Sequence, residues 1–156
     1  MRRNSNNSMN SYNHYAFGAV CEWLFEYMAG VRPLEAGFRR ILLAPDILVD
    51  SEIGSVSSTR GTPYGEVTSS WNREGSTCDW SVKLPPGTTG KVSLPTSCFR
   101  GIVVIDEYAN QALPVSTEDD VLGRSSFDLP SGSFRISFPV VNNASLAGAE
   151  DADEAM

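Results

Sequence analysis

The sequence predicts a mainly β protein, an antiparallel β-sandwich preceded by one α-helix. Three observations carry that expectation. Apolar residues between positions 15 and 29 recur at spacings of three and four, the helical period. After Gly37 the chain breaks into short segments punctuated by Gly, Pro, Ser and Thr. Within that stretch, positions 77–84 and 133–138 alternate apolar and polar residues, the period of a half-buried strand.

The elements follow in order. Residues 1–14 are Asn/Ser-rich and polar, without periodicity, and read as a loop or frayed end. Over 15–31 the helix carries Ala16, Val20, Trp23, Leu24, Tyr27 and Met28 on one side and Phe17, Cys21 and Phe25 on the other. A helix apolar nearly all round belongs inside something. Gly30 is placed to stop it, and Arg32-Pro33 forbids its continuation. Strands are expected over 38–43, 66–71, 77–84, 91–94, 102–108 and 133–138, with Glu74-Gly75 as a hairpin turn. Six to eight strands over 38–139 at intervals of about ten residues fit a sandwich. Residues 144–156 lose all periodicity, and Glu150, Asp151, Asp153 and Glu154 make them an acidic tail expected to be disordered.

Composition narrows the function classes. The chain has 156 residues, enough for one core, and a net charge of −7. It has no basic stripe to hold a phosphate backbone, which argues against nucleic acid. No apolar run reaches the roughly 18 residues of a spanning helix, so no membrane partner is expected. Asn, Ser and Asn follow Arg2-Arg3 where a signal peptide would be apolar, so the expectation is a cytoplasmic protein or one whose true start lies upstream. Of the three cysteines, Cys21 and Cys78 are expected as buried thiols, while Cys98, after a Pro-Thr-Ser turn, is the candidate for exposure. A single histidine and no Cys–His cluster leave no zinc site.

The run Ser11-Tyr12-Asn13-His14-Tyr15-Ala16-Phe17-Gly18-Ala19-Val20 resembles the closing signature of the α-L-rhamnosidase catalytic domain. The likeness continues through Glu22-Trp23-Leu24, Ala29-Gly30-Val31, Gly37-Phe38-Arg39-Arg40-Ile41 and Pro45. Thr62-Pro63-Tyr64-Gly65-Glu66-Val67, Ser70-Trp71, Leu84-Pro85-Pro86-Gly87-Thr88-Thr89 and Ser131-Gly132-Ser133-Phe134 are similar to that family's C-terminal sandwich. Together the matches cover residues 11–139. The resemblance implies that 15–31 is the last helix of an (α/α)₆ barrel and 38–139 the sandwich that follows it. It also implies an inverting hydrolase of terminal α-L-rhamnose, with no cofactor, whose two catalytic glutamates lie on barrel segments absent from this chain. The expected partner is therefore a catalytic barrel, upstream or on a separate chain, together with its rhamnoside substrates. His14 matches a histidine that hydrogen-bonds the sugar, and that role requires the complete barrel.

Other candidates read differently. Glu22 and Glu26 sit one helical turn apart, about 5–6 Å between Cβ atoms, and on one helix face they cannot straddle a sugar. An inverting pair stands about 6.5–9.5 Å apart across the scissile bond. Glu118, Asp119 and Asp120 are consecutive acids pointing in different directions, a solvated loop rather than a metal site. Ser57 and the other serines have no histidine partner for a triad. Trp71, Trp80 and Tyr64 raise the alternative of a stand-alone carbohydrate- or protein-binding module, with Trp80 expected in the core and Tyr64 exposed in its Pro-Tyr-Gly turn. With no barrel around it, the helix is expected to drive self-association through 15–29.

Overall fold

The computed structural model describes residues 15–45, 52–120 and 123–140. The polar N-terminal segment and the acidic tail lie outside the described residues. The helix α1 (Tyr15–Trp23) runs on into a π-helical turn, Leu24–Met28, closed by the Ala29 N–H donating to the Leu24 carbonyl at 3.0 Å. Gly30 ends it with φ of +70°, where a Cβ would stand 2.2 Å from the backbone nitrogen of Pro45. Only glycine permits this close approach of the helix end to the end of a strand.

Among the described residues eleven strands follow: β1 (Val31–Pro33), β2 (Arg40–Leu43), β3 (Ser55–Thr62), β4 (Gly65–Glu74), β5 (Thr77–Leu84), β6 (Thr89–Pro95), β7 (Val103–Asp106), β8 (Gln111–Ala112), β9 (Glu118–Asp119), β10 (Arg124–Leu129) and β11 (Gly132–Pro139). They form two sheets, β1-β2-β6-β10-β9 and β3-β4-β5-β11-β7-β8. Eight of them, among the described residues, are four residues or longer. Pairing is antiparallel except between β2 and β6, which run parallel with Arg40 opposite Thr89. A parallel neighbour needs a long crossover, and here β3, β4 and β5 of the other sheet provide it.

The alternation read from sequence becomes the core. Cys78, Trp80, Val82 and Leu84 of β5 are buried, as are Val67, Ser69 and Trp71 of β4 and Phe134, Ile136 and Phe138 of β11. Ile41, Leu43, Val92, Leu94, Phe127 and Leu129 meet them from the five-stranded sheet. Trp71 lies opposite Trp80 in register, and Trp80 meets Phe138 edge-on with ring centroids 6.5 Å apart. Burying any one of these large side chains contributes roughly 1.5–3 kcal/mol.

Two cysteine expectations are corrected. Cys98 is buried, 3% exposed, because the 3-10 segment Thr96–Gly101 turns it inward instead of presenting it to solvent. Cys21 is exposed, because it lies on an open groove between the helix and β3 instead of in a closed core.

Candidate functional site

His14, the candidate sugar contact, lies outside the described residues. What the structure does describe is the junction on which the helix stands. The Trp71 indole N–H donates to the Met28 carbonyl at 2.9 Å, and the Ser69 hydroxyl donates to the Ala29 carbonyl at 2.7 Å. Trp80 in turn donates its indole N–H to the Ser69 oxygen at 2.9 Å. Carbonyls at a helix C-terminus lack intrahelical partners and need donors from elsewhere. Here side chains of β4 supply them from inside the sandwich core.

A second set of contacts holds the helix side-on. Arg60 of β3 donates through Nη2 to Glu22 Oε1 at 2.7 Å. The same guanidinium lies 4.7 Å over the Phe38 ring and 5.5 Å from the Phe25 ring centroid. Arg32 stacks 4.8 Å over Tyr27. The hydrogen bond from Arg60 holds the Glu22 carboxyl below the usual range, outweighing the opposite effect of desolvation. A general acid for glycoside hydrolysis needs a raised pKa, so Glu22 is an anion committed to Arg60. Glu26 stands on the same helix, and the two do not face each other across a cleft.

The outer side of the helix is apolar and open. Val20, Trp23, Leu24 and Tyr27 are 56%, 47%, 41% and 38% exposed. Trp23 and Tyr27 stack with centroids 6.0 Å apart. Beside them, Cys21, Leu24, Phe25, Met28 and Val56 line a groove of about 410 Å³ between helix and β3.

The remaining candidates separate. Glu118 pairs with Lys91 at 3.4 Å, Asp119 accepts from the Ser125 hydroxyl, and Asp120 accepts from the Arg124 backbone N–H. Among the described residues no three His, Cys, Asp or Glu side chains gather as a metal site would require. Ser57 shares a 2.8 Å hydroxyl contact with Ser70, a cross-strand pair. Trp71 and Trp80 are buried at 2% and 0% exposure and unavailable for stacking on a sugar, whereas Tyr64 is exposed. Desolvation pushes the Cys78 thiol up to about 12 and raises Cys98 as well, so both stay protonated.

The profile of the bacterial α-L-rhamnosidase C-terminal domain matches residues 30–106. The chain carries an α-L-rhamnosidase C-terminal domain. It is 42% identical over 99 residues to an α-L-rhamnosidase of Formosa agariphila, a match covering 64% of this chain and 10% of that protein. It superposes on the crystal structure of the Streptomyces avermitilis α-L-rhamnosidase complexed with L-rhamnose with a TM-score of 0.65 at 26% identity. That likeness covers 81% of this chain and 11% of the other. With the α-L-rhamnosidase of Dictyoglumus thermophilum the TM-score is 0.67 at 25% identity, covering 84% of this chain and 14% of the other. The chain thus spans about a tenth of the length of the rhamnosidases it matches.

The matched segment of this rhamnosidase domain opens at Gly30, where the helix stops. Arg60, Ser69, Trp71 and Trp80 all fall inside it. Sequence reasoning missed Arg60 and Ser69 as helix anchors. A polar Ser69 on the otherwise apolar face of Val67 and Trp71 was a usable signal; Arg60, in a Ser/Thr-rich run, gave none.

Proposed function

We propose that this chain is the non-catalytic C-terminal part of an α-L-rhamnosidase, and that the helix that ends at Met28 is the last helix of its catalytic barrel. In this reading hydrolysis of terminal α-L-rhamnose belongs to a barrel supplied upstream or by a separate chain. His14 contributes a sugar contact only when that barrel surrounds it.

The observation that carries the reading is the division of labour around the helix. Its C-terminal carbonyls and Glu22 are bonded to the sandwich, while Val20, Trp23, Leu24 and Tyr27 stay exposed on the other side. A contiguous apolar stripe of this kind marks a surface meant for another piece of protein. The share of each relative left uncovered, about nine tenths, offers that piece. The sandwich then acts as a brace, fixing the end and azimuth of the helix that closes the barrel.

The test is an aryl-rhamnoside assay on the purified chain, which releases no rhamnose above buffer under this reading. Loss of acid–base catalysis costs on the order of 10²–10⁴-fold per group. Turnover that co-purifies with the chain and vanishes in His14→Ala would overturn it.

A further inference from the structure

Among the described residues the two sheets end in four edge strands, β1, β9, β3 and β8. Three of them are guarded. β1 has three residues, Arg32 and Pro33 among them; β8 has two; β9 is the acidic pair Glu118–Asp119. Short length, proline and charge are devices that stop an edge from pairing with a further strand. β3 uses none of them. It runs eight residues, Ser55–Thr62, without proline, and its one charged side chain, Arg60, is turned to Glu22. Among the described residues no strand lies on its outer side.

This edge forms one wall of the groove of about 410 Å³ between the helix and β3. Val56, Ser57, Ser58 and Thr59 line it in unbroken succession. Successive side chains of a strand point to opposite faces, so four in a row reach one groove only along the strand's edge. The other wall is Cys21, Leu24, Phe25 and Met28, which recur at helical spacing along one side of the helix. Neither wall carries a charge. A free strand edge beside an apolar helix wall suits one kind of occupant, an extended strand. Its main chain bonds to the edge, and its alternate side chains rest on the apolar wall. A helix laid there would leave the main-chain groups of β3 unpaired, and a charged segment would lose hydration with no partner.

We propose that the groove takes up an extended, uncharged strand from the part of the protein outside this chain, which pairs with β3 and rests alternate apolar side chains on Leu24, Phe25 and Met28. This rests on the reading of the chain as the C-terminal part of a rhamnosidase, because about nine tenths of the Formosa relative lies outside the matched length. Leu24 belongs both to the groove and to the open helix side, so the two surfaces are continuous. What is added is the form of the contact, a strand laid on an edge.

Fluorescence anisotropy tests it on the full chain carrying Val20→Ser and Trp23→Ser, which keeps both groove walls and removes the neighbouring apolar side chains. The ligand is a labelled, end-blocked hexapeptide of alternating valine and threonine, made also with its main-chain nitrogens methylated at the odd or at the even positions. A strand turns alternate N–H groups to one neighbour, so methylation in one phase removes its donors to β3 and in the other leaves them. One methylated form is expected to bind more than about tenfold more weakly than the parent peptide, the other within about threefold of it. Thr59→Lys, a charge on the exposed edge, should weaken the parent peptide about tenfold, and so should Leu24→Asp on the opposite wall. A matching far-ultraviolet spectrum verifies that each variant is folded. No binding of the parent peptide, equal effects of the two methylations, tighter binding of a stapled apolar helical peptide, or binding unaltered by Thr59→Lys in a folded chain would each overturn the proposal. None of these results bears on rhamnose release, so the non-catalytic reading stands or falls by its own assay.

Discussion

Trp71 of β4 donates its indole N–H to the carbonyl of Met28, 2.9 Å away, so a core tryptophan of the sandwich ends the helix that precedes it. Trp71→Phe keeps most of the ring in the core but leaves that carbonyl without its donor. The expected cost is about 1–3 kcal/mol, the penalty for a buried unsatisfied group. Hydrogen exchange should place the loss mainly in residues 24–30, with the sheet amides less affected.

Ser69→Ala should cost at least as much, about 1–3 kcal/mol, because it removes two bonds at once. The Ala29 carbonyl loses a donor and the Trp80 indole, buried at 0% exposure, loses its acceptor. Denaturant melts of Ser69→Ala, Trp80→Phe and the double variant form a cycle. The double variant should be less destabilised than the sum, since removing both partners leaves fewer orphaned groups.

The helix grip should weaken in acid. The Glu22 carboxyl is lowered in the folded state, first by its hydrogen bond from Arg60, so the pair's contribution is present above the ordinary glutamate pKa of about 4.3. It is lost as pH falls through the lower folded value. Glu22 is half exposed, so the contribution is small, under about 1 kcal/mol. Tryptophan fluorescence of a Trp71→Phe, Trp80→Phe background, in which Trp23 is the remaining tryptophan, followed from about pH 6 to about pH 3, should show the loosening and should not show it when Glu22→Gln is added.

Thiol labelling separates the cysteines. Cys21 is exposed and should react with a thiol reagent in the native state, whereas Cys78 and Cys98 should react only on unfolding. Burial holds Cys78 at about 12, far above neutral pH. Native labelling of a second cysteine would show that the 3-10 segment around Cys98 opens.

The strands legible in the sequence were those whose alternation is apolar. Cys78-Asp79-Trp80-Ser81-Val82 became β5 and Phe134-Arg135-Ile136 became β11, with Gly75 at a positive φ in the hairpin between β4 and β5. β3 was not legible, because Ser55-Val56-Ser57-Ser58-Thr59-Arg60 lies at a sheet edge where hydrogen bonding to β4, rather than burial, selects the residues. β10 was hidden likewise, since its inward residues begin with Ser125, buried by bonds to Thr96 and Asp119. The helix and its apolar faces were read from period alone. Its anchors were not, for Arg60 meets Glu22 across 38 positions and Ser69 meets Ala29 across 40, and no local pattern encodes such distance.

The exposed side of the helix makes the last prediction. Val20, Trp23, Leu24 and Tyr27 stand partly in water beside the groove of Phe25 and Val56. Covering each would contribute up to roughly 1.5–3 kcal/mol, scaled by its exposed fraction, which sums to a few kcal/mol. Offered no barrel, the isolated chain should use this face to self-associate through residues 15–29. Removing the helix is a poor cure, because the carbonyls of Met28 and Ala29 satisfy Trp71 and Ser69 inside the core. A chain lacking residues 1–30 should therefore melt lower than the parent. Val20→Ser with Trp23→Ser alters only the open side and should give a monomer of unchanged stability to within about 1 kcal/mol. Light scattering across a concentration series decides it: a parent chain that stays monomeric at every concentration would show that the apolar face is quiet on its own.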